Sequence, residues 1–237
     1  MVFDLKSSLE IILINTQLPE NLGATARGML NFNIENLRLV GPHFEMNNEK
    51  ILPLSAGADH VIKKIKVYEN FEKSIEDLDY IIATTNRERT LKKKKVNFNE
   101  ILKLLNSKRK IGIVFGPEKS GLDNDHISLS DYILKIPSNK KFSSINLSHA
   151  VTIVCYEISK IIFRNIKSND KIYDLAPKKE LMNFYKILEN KLEEKNFFMV
   201  DERKKITIQK IRNIFSKSLL NINEIKILLG ILKSLEK

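Results

Sequence analysis

Three stretches of this chain hold residues whose types and spacing could do chemistry. In the first, Arg27 sits among Gly23, Ala24, Ala26 and Gly28, small residues that let another backbone or a substrate approach a cation closely. On spacing alone a plain surface arginine is the favoured reading. In the second, Gly116-Pro-Glu-Lys-Ser-Gly121 has the G-x-x-x-x-G skeleton of a phosphate loop. Leu122-Asp123 follows where Lys-Ser/Thr is needed, so nucleoside triphosphate chemistry is excluded. The third, Arg87–Lys95, reads RERTLKKKK and carries six basic side chains against one acid, Glu88. Arg87, Arg89, Lys92, Lys93, Lys94 and Lys95 are candidate phosphate contacts beside a strand end, giving salt-sensitive and largely sequence-independent affinity. A solvated charge run accounts for the same composition.

Other chemistries lack their residues. There is no G-x-G-x-x-G dinucleotide fingerprint. His43, His60, His126 and His149 share no ligand-like spacing with one another or with Cys155, so no metal is expected. Cys155 lies beside an apolar helical stripe and reads as core.

The elements that must position these residues follow from periodicity. Ile111–Phe115 and Tyr132–Ile136 have strand length, and each empties into a loop rich in Gly, Pro, Ser and Asn. The second loop leads into a helix striped by Leu147, Ala150, Val151, Val154 and Ile158. Strand, small-residue loop and helix in near succession is how open α/β sheets build a site at strand C-terminal ends. Upstream, strands are expected at Leu9–Thr16, Leu37–Val40, Ile65–Tyr68 and Asp79–Thr84. Helices are expected at Asn21–Phe32, about Pro53–Asp59, Phe71–Asp77 and Asn97–Leu105. The alternation predicts an α/β fold, a mainly parallel sheet with helices on both faces, over residues 1–166.

Composition shifts after Asn165. Residues 167–177 read as a linker, and 178–237 as a basic helical C-terminal extension with patterns at Lys179–Lys195, Thr207–Ser218 and Asn223–Glu236. Residues 167–237 hold 16 basic and 10 acidic side chains, so they carry +6 of the net +11. A dimerisation hairpin is the rival reading of this tail. The net charge favours a polyanionic partner, nucleic acid before membrane. No apolar run reaches the ~20 residues of a membrane span. The first residues, with an early acid running into a strand, do not read as a signal peptide. A single cysteine fits a reducing, cytoplasmic setting.

Three segments, in this order, resemble the SpoU branch of the SPOUT RNA methyltransferases: Asn15–Met29, Ile113–Leu122, and Ile136–Leu147 leading into its helix. The similarity is closest to the TrmJ-type tRNA 2′-O-methyltransferases, since it extends to Ser55–Asp59, Ala83–Arg87 and the helical extension. The resemblance implies a C-terminal trefoil knot in the sheet domain, S-adenosyl-L-methionine as cofactor, and a homodimer with its active site at the subunit interface. It also implies tRNA as substrate, methylated on the ribose of pyrimidine 32 in the anticodon loop. Matched position by position, Thr84, Thr85, Asn86, Gly116, Ile136, Ser143, Ser144 and Ile145 are expected at the cofactor. Arg27 matches the catalytic arginine, with Asn21, Glu118, Ser144 and Asn146 around the reacting ribose. Ribosomal RNA or another tRNA position is the nearest rival substrate, and a non-catalytic RNA-binding protein is the rival of another class. Two departures stand out. Asn86 replaces a small residue and is expected to change an outward-facing side chain. Leu229 stands before Gly230 where relatives carry Arg, so a phosphate contact is expected to be missing there.

Overall fold

The computed structural model describes residues 8–87, 91–105, 109–162 and 175–235. Among them seven strands form one parallel sheet. They are β1 (Leu9–Ile14), β2 (Leu37–Val40), β3 (Lys66–Tyr68), β4 (Tyr80–Thr84), β5 (Lys94–Val96), β6 (Ile111–Phe115) and β7 (Tyr132–Leu134), in the order β3-β2-β1-β6-β4-β7-β5. The central strands are apolar almost throughout, as strands covered on both faces must be. Leu9, Ile11 and Leu13 of β1 enter one core, and Ile12 and Ile14 enter the other. Register aligns the strand ends that matter. Ala83 pairs Val114, and Thr84 pairs Leu134, so β4, β6 and β7 finish level.

The first face is covered by α1 (Pro19–Leu30), α2 (Ile51–Ser55), α3 (Asp59–Lys63), α5 (Phe98–Leu105) and α7 (Leu147–Ile162). Pro19 opens α1, where a missing N–H costs nothing. The second face is covered by α4 (Phe71–Ile75) and α6 (Asn124–Leu129), then by helices from the far end of the chain. These are α8 (Lys178–Glu194), α9 (Asp201–Lys217) and α10 (Ile222–Ser234). Phe184, Tyr185 and Leu188 of α8 and Ile225 of α10 share a core with Ile81, Val114 and Ile133 of the sheet. No helix of the described residues is long and apolar enough to cross a membrane.

Buried polar links tie this second layer down. The Lys178 ammonium is buried against the Asp131 carboxylate, whose other oxygen accepts the Ile81 N–H at 2.8 Å. Gln209 donates to Asp125 at 2.5 Å, and the Tyr185 hydroxyl donates to the Arg212 carbonyl at 3.0 Å. The expected linker, 167–177, lies outside the described residues up to 174, and Leu175 and Ala176 beyond it are buried.

Several elements differ from the sequence reading. The expected helix at Pro53–Asp59 is two short helices, broken where Ala56 and Gly57 take positive φ. Helix α9 begins six residues earlier than expected, because its first turns, DERKK, are solvated and carry no apolar stripe. The lysine run contains β5, an edge strand of the kind that lysines protect from further pairing. Helix α6 was not anticipated; its start is fixed by Asp123, whose carboxylate accepts the His126 N–H at 3.0 Å. The hydrogen bond and ion pair with His126 hold that carboxyl down at about 2.

Candidate active site

The level ends of β4, β6 and β7 open into a cavity of about 310 Å³. Three loops wall it. Thr84, Thr85, Asn86 and Arg87 come from the end of β4. Gly116, Pro117, Glu118, Lys119 and Gly121 come from the loop after β6. Ile136, Ser143, Ser144 and Ile145 come from the segment after β7. Phe115, Leu147 and Ala150 add apolar wall. The structure therefore gathers all eight residues expected at a cofactor around one cavity. Of the wall residues, Ala150 had registered in the sequence only as part of a core stripe.

The loop after β6 is closed on itself. Gly121 has φ +65° and donates its N–H to the Pro117 carbonyl at 2.8 Å. A Cβ on Gly116 would lie 2.2 Å from the Leu122 nitrogen and 2.4 Å from the Gly121 carbonyl carbon. The close approach that requires glycine here is thus the loop's own backbone, and a ligand would meet a loop already shaped by it.

Glu118 joins this loop to α1. Its carboxylate accepts the Gln17 N–H at 3.0 Å, the Leu18 N–H at 3.3 Å and the Asn21 side-chain amide at 2.7 Å. Asn21 in turn accepts the Asn146 amide at 3.0 Å. Asn146 also accepts the Ser148 N–H at 3.0 Å and its hydroxyl at 2.7 Å, fixing the start of α7. Glu118, Asn21 and Asn146 form one chain of hydrogen bonds across three segments far apart in sequence. Glu118 and Ser144 reach the cavity wall, while Asn21 and Asn146 stand behind it.

Arg27 is not on that wall. Among the residues of α1 it is the exposed one, six residues or ~9 Å along the axis from Asn21. The small residues around it serve helix packing. A Cβ on Gly23 would lie 2.0 Å from the Ile51 carbonyl oxygen, and one on Gly28 would lie 2.2 Å from Thr152 Oγ1.

Two expectations are corrected. Asn86 does not face outward: its amide donates to Ser138 Oγ at 3.0 Å and to the Ser143 carbonyl at 3.2 Å, clipping the end of β4 to the loop after β7. Lys93 is not a phosphate contact. It is 8% exposed, donating to the Ser128 carbonyl at 2.9 Å and to Ser216 Oγ of α9, and burial drives its ammonium down to about 7. Lys92, Lys94 and Lys95 are exposed, but Lys94 pairs Tyr132 at the beginning of β7, away from the cavity end. Arg87 lines the cavity, and Arg89 lies outside the described residues. Leu229 packs against the second core. Among the described residues no group of three or more His, Cys, Asp or Glu could hold a metal ion. Cys155 is buried, and burial pushes its thiol up to about 12.

A parallel sheet whose level C-terminal ends carry a walled cavity defines an α/β ligand-binding fold. Residues 8–156 match the SpoU rRNA Methylase family. The tRNA (cytidine-2'-O-)-methyltransferase TrmJ of Methanocaldococcus jannaschii is 38% identical over 161 residues, 66% of this chain and 70% of that one. The tRNA (cytidine/uridine-2'-O-)-methyltransferase TrmJ of Photorhabdus laumondii is 33% identical over 238 residues, 97% of each. The crystal structure of TrmJ from Z. mobilis superposes with a TM-score of 0.87 at 34% identity, covering 96% of this chain and 99% of that one. The chain belongs to the SpoU methylase family and is an RNA methyltransferase.

Proposed function

We propose that this enzyme methylates a ribose 2′-OH of tRNA, at pyrimidine 32 of the anticodon loop, using S-adenosyl-L-methionine. In this reading it is a cytoplasmic homodimer whose sheet domain ends in a trefoil knot and whose helices from 178 onward help hold the tRNA. The observation that carries the proposal is that Ala83–Arg87, Ile113–Leu122 and Ile136–Leu147, three of the segments similar to the family, meet around one cavity.

The cavity suits the cofactor. Phe115, Ile136, Ile145, Leu147 and Ala150 offer apolar wall to an adenine and a methionine chain, and Thr84, Thr85, Ser143 and Ser144 offer hydroxyl and main-chain polar groups. When bound, the cofactor supplies a sulfonium methyl group that needs no metal. What is left to the chain is alignment, and stabilisation of the hydroxyl as it loses its proton. Arginines keep their proton in proteins, so Arg27 acts as an orienter of the developing alkoxide and the adjacent phosphate rather than as a base. Its position off the wall of its own cavity supports a dimer in which Arg27 of one protomer serves the cavity of its partner. Glu118, Asn21 and Asn146 tie the loop after β6, the start of α1 and the start of α7 together beside the cavity.

The test is methyl transfer from tritiated S-adenosyl-L-methionine to unfractionated tRNA and ribosomal RNA, with the 2′-O-methylated nucleotides mapped. Modification at pyrimidine 32 is expected. A different mapped position would replace the assignment of nucleotide, and cofactor binding without transfer to any RNA would remove the catalytic reading.

A further inference from the structure

At the mouth of the cavity the loop after β7 makes a tight turn. Asn139 accepts the Lys141 N–H on its side chain at 2.9 Å and the Phe142 N–H on its carbonyl at 3.0 Å. Asn86 clips the turn on both sides, through Ser138 and Ser143. From this held turn the Phe142 ring projects 78% exposed, and the next three residues line the cavity. Scattered exposed apolar residues are ordinary. This one differs in its setting, because its turn is clamped at both ends and leads directly into the cavity wall.

The charge around it selects the visitor. Lys140 and Lys141 precede the ring and are exposed. Among the described residues lining the cavity, the charged ones are Arg87, Lys119 and Glu118, and Glu118 already accepts three hydrogen bonds. An aromatic face between cations is how proteins hold unpaired nucleotides, by stacking on the base and neutralising its phosphates. We propose that Phe142 is a stacking platform for an unpaired RNA base at the cavity mouth, with Lys140 and Lys141 on the flanking phosphates. The platform thus orients the nucleotide beside the one that is methylated. This rests on the reading of the chain as an RNA ribose methyltransferase.

Phe142→Leu keeps an apolar side chain and removes the π face, whereas Phe142→Tyr keeps it. With unfractionated tRNA as the probe, Phe142→Leu should weaken binding and transfer at low tRNA by ~5–150-fold, the factor one stacked base is worth. Calorimetric affinity for S-adenosyl-L-methionine, the sedimentation coefficient and the salt slope of tRNA binding should stay as in wild type. Phe142→Tyr should restore transfer. Lys140→Gln with Lys141→Gln should instead lower the log–log salt slope by about 1.4. Phe142→Leu at wild-type tRNA affinity overturns the proposal, as does a Tyr variant as impaired as Leu. A changed sedimentation coefficient in Phe142→Leu also overturns it, since the ring is then a contact between copies of the chain. Absence of methyl transfer to any RNA by wild type removes the parent reading and this one with it. Normal wild-type transfer with an unaffected Leu variant removes only the platform.

Discussion

The two faces of the sheet are roofed by different means. On the first, α1 lies so close to its neighbours that Gly23 and Gly28 leave no room for a Cβ against Ile51 and Thr152. On the second, three helices from the end of the chain are held by apolar contact and by buried polar links such as Lys178 to Asp131 and Lys93 to Ser128 and Ser216. Close backbone approach makes the first face intolerant of added volume. Buried charge makes the second intolerant of losing one partner. The face that carries Arg27 and the start of α7 is thereby the one closed to added volume.

The comparison can be broken most severely by deleting residues 178–237. Ile81, Val114 and Ile133 would lose their cover, and the expected outcome is an aggregating chain without a cooperative calorimetric transition. A monodisperse, folded remainder would show the second roof to be dispensable. Next in size is Lys178→Met, which strands the buried Asp131 carboxylate. A loss of about 3–5 kcal/mol in urea unfolding is expected, with substantial recovery on adding Asp131→Asn. On the first face, Gly28→Ala should cost about 1–3 kcal/mol by overpacking, relieved when Thr152→Ala removes the hydroxyl it meets.

A subtler difference between the faces is in pH. The buried Lys93 releases its proton at about 7, whereas an unfolded lysine holds it to about 10.5. Between those values the unfolded state binds the extra proton, so this group's contribution to stability rises with pH there and is at its lowest below 7. Lys93→Met should therefore gain most over wild type near pH 6 and least near pH 10, read from unfolding midpoints across the range. The smallest stability change is expected for Arg27→Ala, within ~0.5 kcal/mol because the side chain is exposed, while methyl transfer falls by about 10²–10³. Turnover near wild type would take Arg27 out of the mechanism.

Much of the first face was legible in the sequence. The apolar runs at Ile111–Phe115 and Leu9–Ile14 and the stripe from Leu147 to Ile158 have the periods their elements require, and the parallel α/β alternation followed from them. Two walls of the cavity were legible as the small-residue loops after Phe115 and Ile136, and the third, at the end of β4, through the family resemblance. What they share in space was not, because Glu118 reaches Gln17 and Leu18 across a hundred residues, and no local pattern encodes that. The lysine run misled for a related reason. Burial of Lys93 depends on Ser216, 123 residues away, so its composition looked like surface. Asn86 read as an outward substitution because its two partners lie in a loop beyond the next three strands.

The late arrival of the second roof has a consequence for biosynthesis. All seven strands have left the ribosome once Leu134 is clear of it, but Phe184, Tyr185 and Ile225 come later. At ~5–20 residues per second, the sixty residues from 178 onward take roughly 3–12 s to make. For that interval the nascent sheet leaves Ile12, Ile81 and Val114 without part of their cover, an apolar strip open to non-native contacts. Slowing translation within the α8 codons should lengthen that exposure and lower the soluble yield without changing a single residue of the product.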